Sequence, residues 1–163
     1  MPDEPMRRFL AFVTFPALIL LTQCTEHDPV RRFASGQVST NTSDANTAAA
    51  LISQHRMAHG LSPVSVDPRL TQAATARARI VAEAGTLSHG DFTSRMPGVG
   101  IHGHAAENLS AGSRTLDRVI ARWVASPSHN ANLLLPQARR IGLARADSPG
   151  PGYGRYWALV LAE

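Results

Sequence analysis

The chain has 163 residues, 44% of them hydrophobic, and a formal net charge of +4. That is enough for one domain with a real core and too little for two comfortable ones. All 16 basic residues are arginine and they are scattered rather than blocked, which suits a solvated surface and argues against a nucleic-acid groove; no zinc-finger, P-loop or dinucleotide fingerprint occurs in the sequence.

In chain order, Arg7 and Arg8 precede an apolar run from Phe9 to Leu21, too short to span a bilayer comfortably. A basic segment before an apolar run of this length reads as an export signal over residues 1–24. The run ends in Leu21-Thr22-Gln23-Cys24, with the only cysteine of the chain. This segment resembles the lipobox of bacterial lipoproteins, whose cysteine is lipidated and becomes the first mature residue. A lone cysteine makes no internal disulfide, and lipidation gives an exported chain a use for it. The resemblance implies a membrane anchor at Cys24 and a place outside the cytoplasm, as a periplasm-facing or cell-surface lipoprotein. Gln23 departs from the pattern, which prefers a small residue there. Signal cleavage just beyond Cys24, or an uncleaved anchor, is the alternative. Met6 is a second candidate start, because Met1 to Pro5 adds two acids where signals are basic. Residues 25–47 are polar, without periodic apolar positions, and read as a tether.

The domain is expected over 48–163. Ala48 to His59 has a helical pattern with Ala48, Leu51, Ile52, His55 and Ala58 on one side and Gly60 as the stop. His55 is expected at the core or its edge as a satisfied structural histidine. A second helix has Asp67 at the N-cap, Pro68 at N1 and Gly85 at its exit. Leu70, Ala73, Ala74, Val81 and Ala84 form its stripe. Arg77 falls inside that stripe: either its stem packs and its head reaches water, or it lines a polar cavity and meets a carboxylate there. A third helix spans Leu116 to Ala125, capped by Thr115, with Leu116, Val119, Ile120, Trp123 and Val124 on one face. Pro127 ends it, and a short turn follows from His129 to Leu134. Arg140 to Ala146 and Arg155 to Ala162 read as two strands joined by a turn-rich DSPGPGYG segment, and a further strand includes His104 to Leu109. Helices followed by a hairpin argue for an α+β domain with helices packed on a small antiparallel sheet.

Several short segments occur in a telling order: Arg56, Gly60-Leu61-Ser62-Pro63, then Leu87-Ser88-His89-Gly90-Asp91. After them come AENLSAG from Ala106, SPSHNANLL from Ser126, Arg140-Ile141-Gly142-Leu143 and Tyr156-Trp157. In this order and spacing the chain resembles bacterial members of the CAP superfamily of cysteine-rich secretory, antigen 5 and pathogenesis-related-1 proteins, also called SCP domains. The resemblance covers the whole of 48–163 and implies an α-β-α sandwich. It also implies a central cavity lined by histidines and glutamates, which in several members hold zinc or another divalent ion. Carried over position by position, these are His89, Glu107 and His129. The family's other glutamate falls at Ser126, and Asn130 stands where an arginine is common. Two imidazoles and a carboxylate make a three-ligand shell with one position left for water, from which an ion polarises a carbonyl or activates that water. Spacings of 18 and 22 residues are not by themselves a ligand motif. Glu107 equally suits accepting backbone hydrogen bonds at a sheet edge.

His102 and His104 form an H-x-H pair that suits either an extension of the site along a strand or an exposed loop. Ser126, His129 and Glu107 supply the residue types of a hydrolytic triad, but no nucleophile-elbow sequence surrounds the serine. The resemblance points first to an exported, membrane-tethered binding module for a small apolar ligand or an envelope protein, with His89, Glu107, His129 and Arg77 lining its cavity. The alternative is a metal-dependent hydrolase acting on peptides or cell-envelope material. A third possibility is a purely structural envelope domain in which the polar trio only stabilises the fold.

Overall fold

The computed structural model describes residues 36–149 and 152–163. The expected signal, Cys24 and the choice between Met1 and Met6 lie outside the described residues. A short strand β1 (Ser39–Asn41) leads into α1 (Ala45–Ala58), a two-residue strand β2 (Ser65–Val66) and α2 (Pro68–Ala84). Next come α3 (Phe92–Gly98), β3 (Ala105–Ala111), α4 (Leu116–Ala125) and α5 (Pro127–Leu133), then the hairpin strands β4 (Arg140–Asp147) and β5 (Arg155–Ala162).

The sheet runs β1-β4-β5-β3. β4 with β5, and β5 with β3, pair antiparallel over their lengths. β1 and β2 share the outer edge of β4, β1 antiparallel at its end and β2 parallel at its start. β5 is central and buried throughout, apart from partly exposed Arg155. Its alternating side chains divide the core. Trp157, Leu159 and Leu161 face α1, α4 and α5, while Tyr156, Ala158, Val160 and Ala162 face α2 and α3. This is an α+β domain, with the α-β-α sandwich that the resemblance implied.

Local chemistry sets the boundaries. The Asp67 carboxylate accepts from the N–H groups of Arg69 and Leu70 at 2.7 and 3.1 Å, and Gly85 leaves α2 at φ +68°. Asp67 also pairs with Arg140 at 2.8 Å, fixing the start of α2 to β4. At Gly142 of β4 the backbone of α2 comes so close that a Cβ would lie 2.0 Å from the Leu70 carbonyl carbon. Glycine is required there by contact, not by conformation.

Three expectations need correction. Residues 39–41 and 45–47, expected within the tether, belong instead to β1 and α1. Ser39–Asn41 lack apolar periodicity yet are held by backbone pairing to β4. Ala84 is exposed, because its place in the stripe is lost at the exit of the helix. Thr115 occupies the N-cap position of α4, but its side chain makes no capping bond. α3, in a glycine-rich stretch with an internal Pro97, has no counterpart in the sequence expectations.

Arg56 is the largest polar side chain in the interior and is fully buried. Its Nε donates to the Ser62 carbonyl at 2.9 Å, Nη1 to Leu133 and Leu135 at 2.7 and 2.9 Å, and Nη2 to Ala138 at 2.9 Å. One guanidinium thus satisfies carbonyls at the end of α5, in the α5–β4 connection and in the exit of α1. Burial pulls its pKa below the ordinary arginine value, with the neighbouring Arg139 charge adding to the effect. Arg56→Met, which keeps the bulk and removes every donor, is expected to lower stability by about 3–5 kcal/mol in denaturant unfolding. Gly142→Ala is expected to cost about 3 kcal/mol, because β4 must separate from the α2 backbone; an unchanged midpoint would mean that the two elements slide freely.

Candidate functional site

β3 is an edge strand, and its exposed edge is where the site forms. Gly112 N–H donates to Arg155 and Glu163 N–H to His104, so even-numbered residues of β3 bond β5. Glu107, Leu109 and Ala111 therefore turn their backbone groups outward. Unpaired edge carbonyls are a liability, and here side chains from α4 and α5 occupy them. Asn132 Nδ2 donates to the Glu107 carbonyl at 3.2 Å, Trp123 Nε1 to Leu109 at 3.1 Å and Arg122 Nη1 to Ala111 at 3.1 Å. Asn108 completes the seam, accepting from Asn132 at 2.9 Å and donating to the His129 carbonyl at 3.0 Å.

Below this edge, on the α2 side, lies the Glu107 carboxylate, with only 1% of its side chain exposed. Oε1 accepts from His89 Nδ1 at 2.9 Å, Oε2 accepts from Arg95 Nη2 at 2.9 Å, and Arg77 Nε stands 4.0 Å from Oε1. Arg95 also donates to the His89 carbonyl at 3.1 Å and lies over the Phe92 ring. Gly90, at φ +54°, lets the loop after α2 approach the Arg77 guanidinium, where a Cβ would meet its nitrogens at 3.2 Å. Asp91 caps α3 through Ser94 N–H; the Ser94 hydroxyl first, and then that N–H, hold its carboxyl below the ordinary aspartate value. Arg77 is buried beside a carboxylate, as one of its two accounts had it, but it does not line the cleft that holds His89 and His129. Burial lowers the Arg77 pKa, while Glu107 opposes that effect.

His129, in α5, donates to or accepts from Ser126 Oγ through Nδ1 at 2.8 Å. Burial lowers its pKa from the ordinary 6.5, and the nearby charges of His89 and Arg122 add to this. His89, Ser126 and His129 share one cleft of about 430 Å³ over the β3 edge, with Leu87, Leu109, Trp123 and Ala125 as its apolar wall. Glu107 is not among the residues lining it. The sequence trio is therefore contiguous but layered: two imidazoles at the cleft, with the carboxylate behind one of them. Among the described residues no group of three or more His, Cys, Asp or Glu side chains is arranged to hold a metal ion. Glu107 has both oxygens committed to donors, and it makes no contact with Ser126 or His129 that would complete a triad.

His102 and His104 are exposed and precede β3 rather than lying on it. His55 is half-buried, with Nε2 on Asn130 Oδ1 at 2.8 Å. Arg95, Asn108, Asn132 and Arg122 have structural roles at the site that the sequence did not signal. Arg95 sits on the unexpected α3, and the two asparagines lie within quoted motifs without any mark of their pairing.

The layering predicts unequal losses. Glu107→Gln leaves the Arg77 and Arg95 cations facing a neutral amide and is expected to cost about 3 kcal/mol. His89→Ala removes a side chain that is 54% exposed and is expected to cost under about 1 kcal/mol. Equal losses in thermal unfolding would contradict the layered arrangement. For His129 the folded pKa lies below the unfolded value, so the unfolded chain takes up its proton first as pH falls. Its contribution to stability is present above pH 6.5 and declines as the pH drops from there through the folded pKa. The expected readouts are an imidazole NMR titration midpoint below 6.5 and a shallower acid limb in His129→Gln.

A model of the cysteine-rich secretory protein family, CAP, matches residues 49–161. The uncharacterized protein YkwD of Bacillus subtilis is 28% identical over 104 residues, which is 60% of this chain and 40% of that protein. The chain thus corresponds to well under half the length of this relative. An outer surface protein of Borrelia burgdorferi superposes with a TM-score of 0.67 at 23% identity, covering 79% of this chain and 98% of that one. An extracellular SCP-domain protein of Bacillus anthracis superposes with a TM-score of 0.60 at 19% identity, covering 72% and 39%.

Proposed function

The chain belongs to the CAP family of cysteine-rich secretory proteins, and from that premise we propose that it is an extracytoplasmic binding module that takes a small apolar or amphipathic ligand in the cleft over β3. The observation that carries this is the cleft itself. About 430 Å³ is the size of a small-molecule site, and its lining combines apolar side chains with the polar groups of Ser88, His89, Ser110, Arg122, Ser126 and His129. Leu87, Leu109, Trp123 and Ala125 would bury an acyl or ring portion, while the polar groups would hold a head group. The Borrelia and Bacillus anthracis relatives are described as outer surface and extracellular proteins, which supports a place outside the cytoplasm. The lipobox-like segment at Cys24 adds a membrane tether to this proposal, and an envelope protein is the second class of partner.

A divalent ion such as zinc forms part of the proposal in a modified form. His89 donates from Nδ1 to Glu107, which leaves Nε2 for a ligand bond and puts the carboxylate in the orienting position behind a metal-bound imidazole. His129 would supply the second imidazole, with ligand or water filling the remaining positions. Such an ion would act as a Lewis acid toward the head group. The residues do the rest: Glu107 fixes the tautomer of His89, and Ser126 orients His129. The hydrolase alternative ranks second because it needs a free general base, and Glu107 is committed to Arg95 and His89.

A fluorescent long-chain acyl probe titrated into the protein is expected to bind one-to-one. Ala125→Phe, which fills the cleft from its rim, should weaken binding about tenfold or more while leaving thermal stability intact. Unchanged affinity in that variant would place the ligand elsewhere. Zinc calorimetry on wild type, His89→Ala and His129→Ala tests the metal separately, with binding lost in both variants as the expected result.

A further inference from the structure

Two histidines stand four residues apart at the C-terminal end of α1, outside the cleft: His55 in its last turn and His59 at its C-cap. His55 and His59 have ring centroids 4.6 Å apart with planes inclined at 57°. Residues four apart are neighbours on a helix surface, and the ring separation shows that this pair keeps that proximity although His59 is the C-cap residue. Their protons are also assigned. His59 Nδ1 stands 2.9 Å from the His55 main-chain oxygen. A carbonyl only accepts, so Nδ1 carries the proton and Nε2 keeps its lone pair. His55 Nε2 stands 2.8 Å from Asn130 Oδ1, so it too is the protonated nitrogen and Nδ1 keeps the lone pair.

We propose that His55 and His59 form a two-imidazole site for a divalent transition-metal ion, with Asn130 and the His55 carbonyl as the outer groups that set the tautomers. A ligating histidine ordinarily donates its other N–H to an oxygen acceptor, and both rings already do so here before any ion arrives. His59 is exposed and His55 half-buried, so solvent reaches the pair and water completes the coordination. Nitrogen donors without a carboxylate select against calcium and magnesium, which require oxygen. Among first-row divalent ions, copper(II) binds such a pair most strongly, ahead of nickel and zinc. Two protein ligands give a site that acquires and releases its ion rather than a permanent structural centre. This site does not depend on the cleft or on its proposed ligand.

Copper(II) alone, titrated into the full chain by calorimetry with parallel electron paramagnetic resonance, tests the assignment. A binding event with a two-nitrogen signature is expected at this pair, apart from any event at the cleft. Because the second imidazole binds intramolecularly once the first has bound, His59→Gln and His55→Gln should each weaken that event about tenfold or more. His89→Gln and His129→Gln should leave it in place, and any separate event they abolish belongs to the cleft. His59→Gln decides the matter if His55→Gln disturbs the contact with Asn130, because an exposed residue at the end of α1 is replaced without touching the core. A copper titration of the H55Q/H59Q double variant that superimposes on wild type would overturn the proposal. So would loss of the two-nitrogen signal in His89→Gln or His129→Gln but not in His59→Gln.

Discussion

A buried carboxylate on an edge strand determines how the rest of this site is arranged. Glu107 holds the loop carrying His89 through one oxygen and α3 through the Arg95 contact on the other. Arg77 of α2 adds a third positive group at 4.0 Å. Burying a charge is costly unless it is paired and hydrogen-bonded, and the same is true of the two guanidinium groups that face it. The cluster is therefore interdependent: each charge is tolerable inside because the others are present. That interdependence explains an arginine within the apolar stripe of α2. The polypeptide also passes close to Arg77 at Gly90, where φ is +54° and a side chain would crowd the guanidinium.

The opposite side of β3 solves a different problem by different means. Outward-facing carbonyls at Glu107, Leu109 and Ala111 would otherwise invite pairing with another chain. Asn132, Trp123 and Arg122 occupy them in turn, so α4 and α5 stand against the strand edge instead of only against the sheet face. Arg56 does comparable work further along, gathering carbonyls from three segments that no regular hydrogen-bond ladder reaches. The cleft is the space left between these two devices. Its floor is the sealed edge, one wall is the loop held by Glu107, and the other is the junction of α4 and α5.

This construction bears on chemistry. Glu107 binds the site together and for that reason is not free to act as a base, while the two imidazoles face the open volume. Burial and neighbouring charges favour the neutral form of His129, which suits it to hydrogen bonding or metal ligation near neutral pH. Polar groups set among apolar ones suit the proposed ligand-binding role, whereas bond breaking would need a free base.

Much of the fold is legible in the sequence, since local rules govern it. The Asp67-Pro68 start and Gly85 exit define α2, the 3.6-residue period defines α4, and the change of period marks β4 and β5. Resemblance, rather than spacing, singled out His89, Glu107 and His129, residues separated by 18 and 22 positions. The sequence by itself therefore determined an α+β chain, its main elements and its family. Tertiary structure alone decided that Glu107 stands behind His89 instead of beside it, that Arg77 turns inward to meet it, and that α3 brings Arg95 to its second oxygen. It also decided that Asn108 and Asn132 interlock, that Ser39–Asn41 join the sheet, and that Arg56 is fully buried. The physical reason is common to all of these. Caps and periodicity act between residues a few positions apart, whereas a buried polar group takes its partners from whichever distant segments folding brings within hydrogen-bond reach.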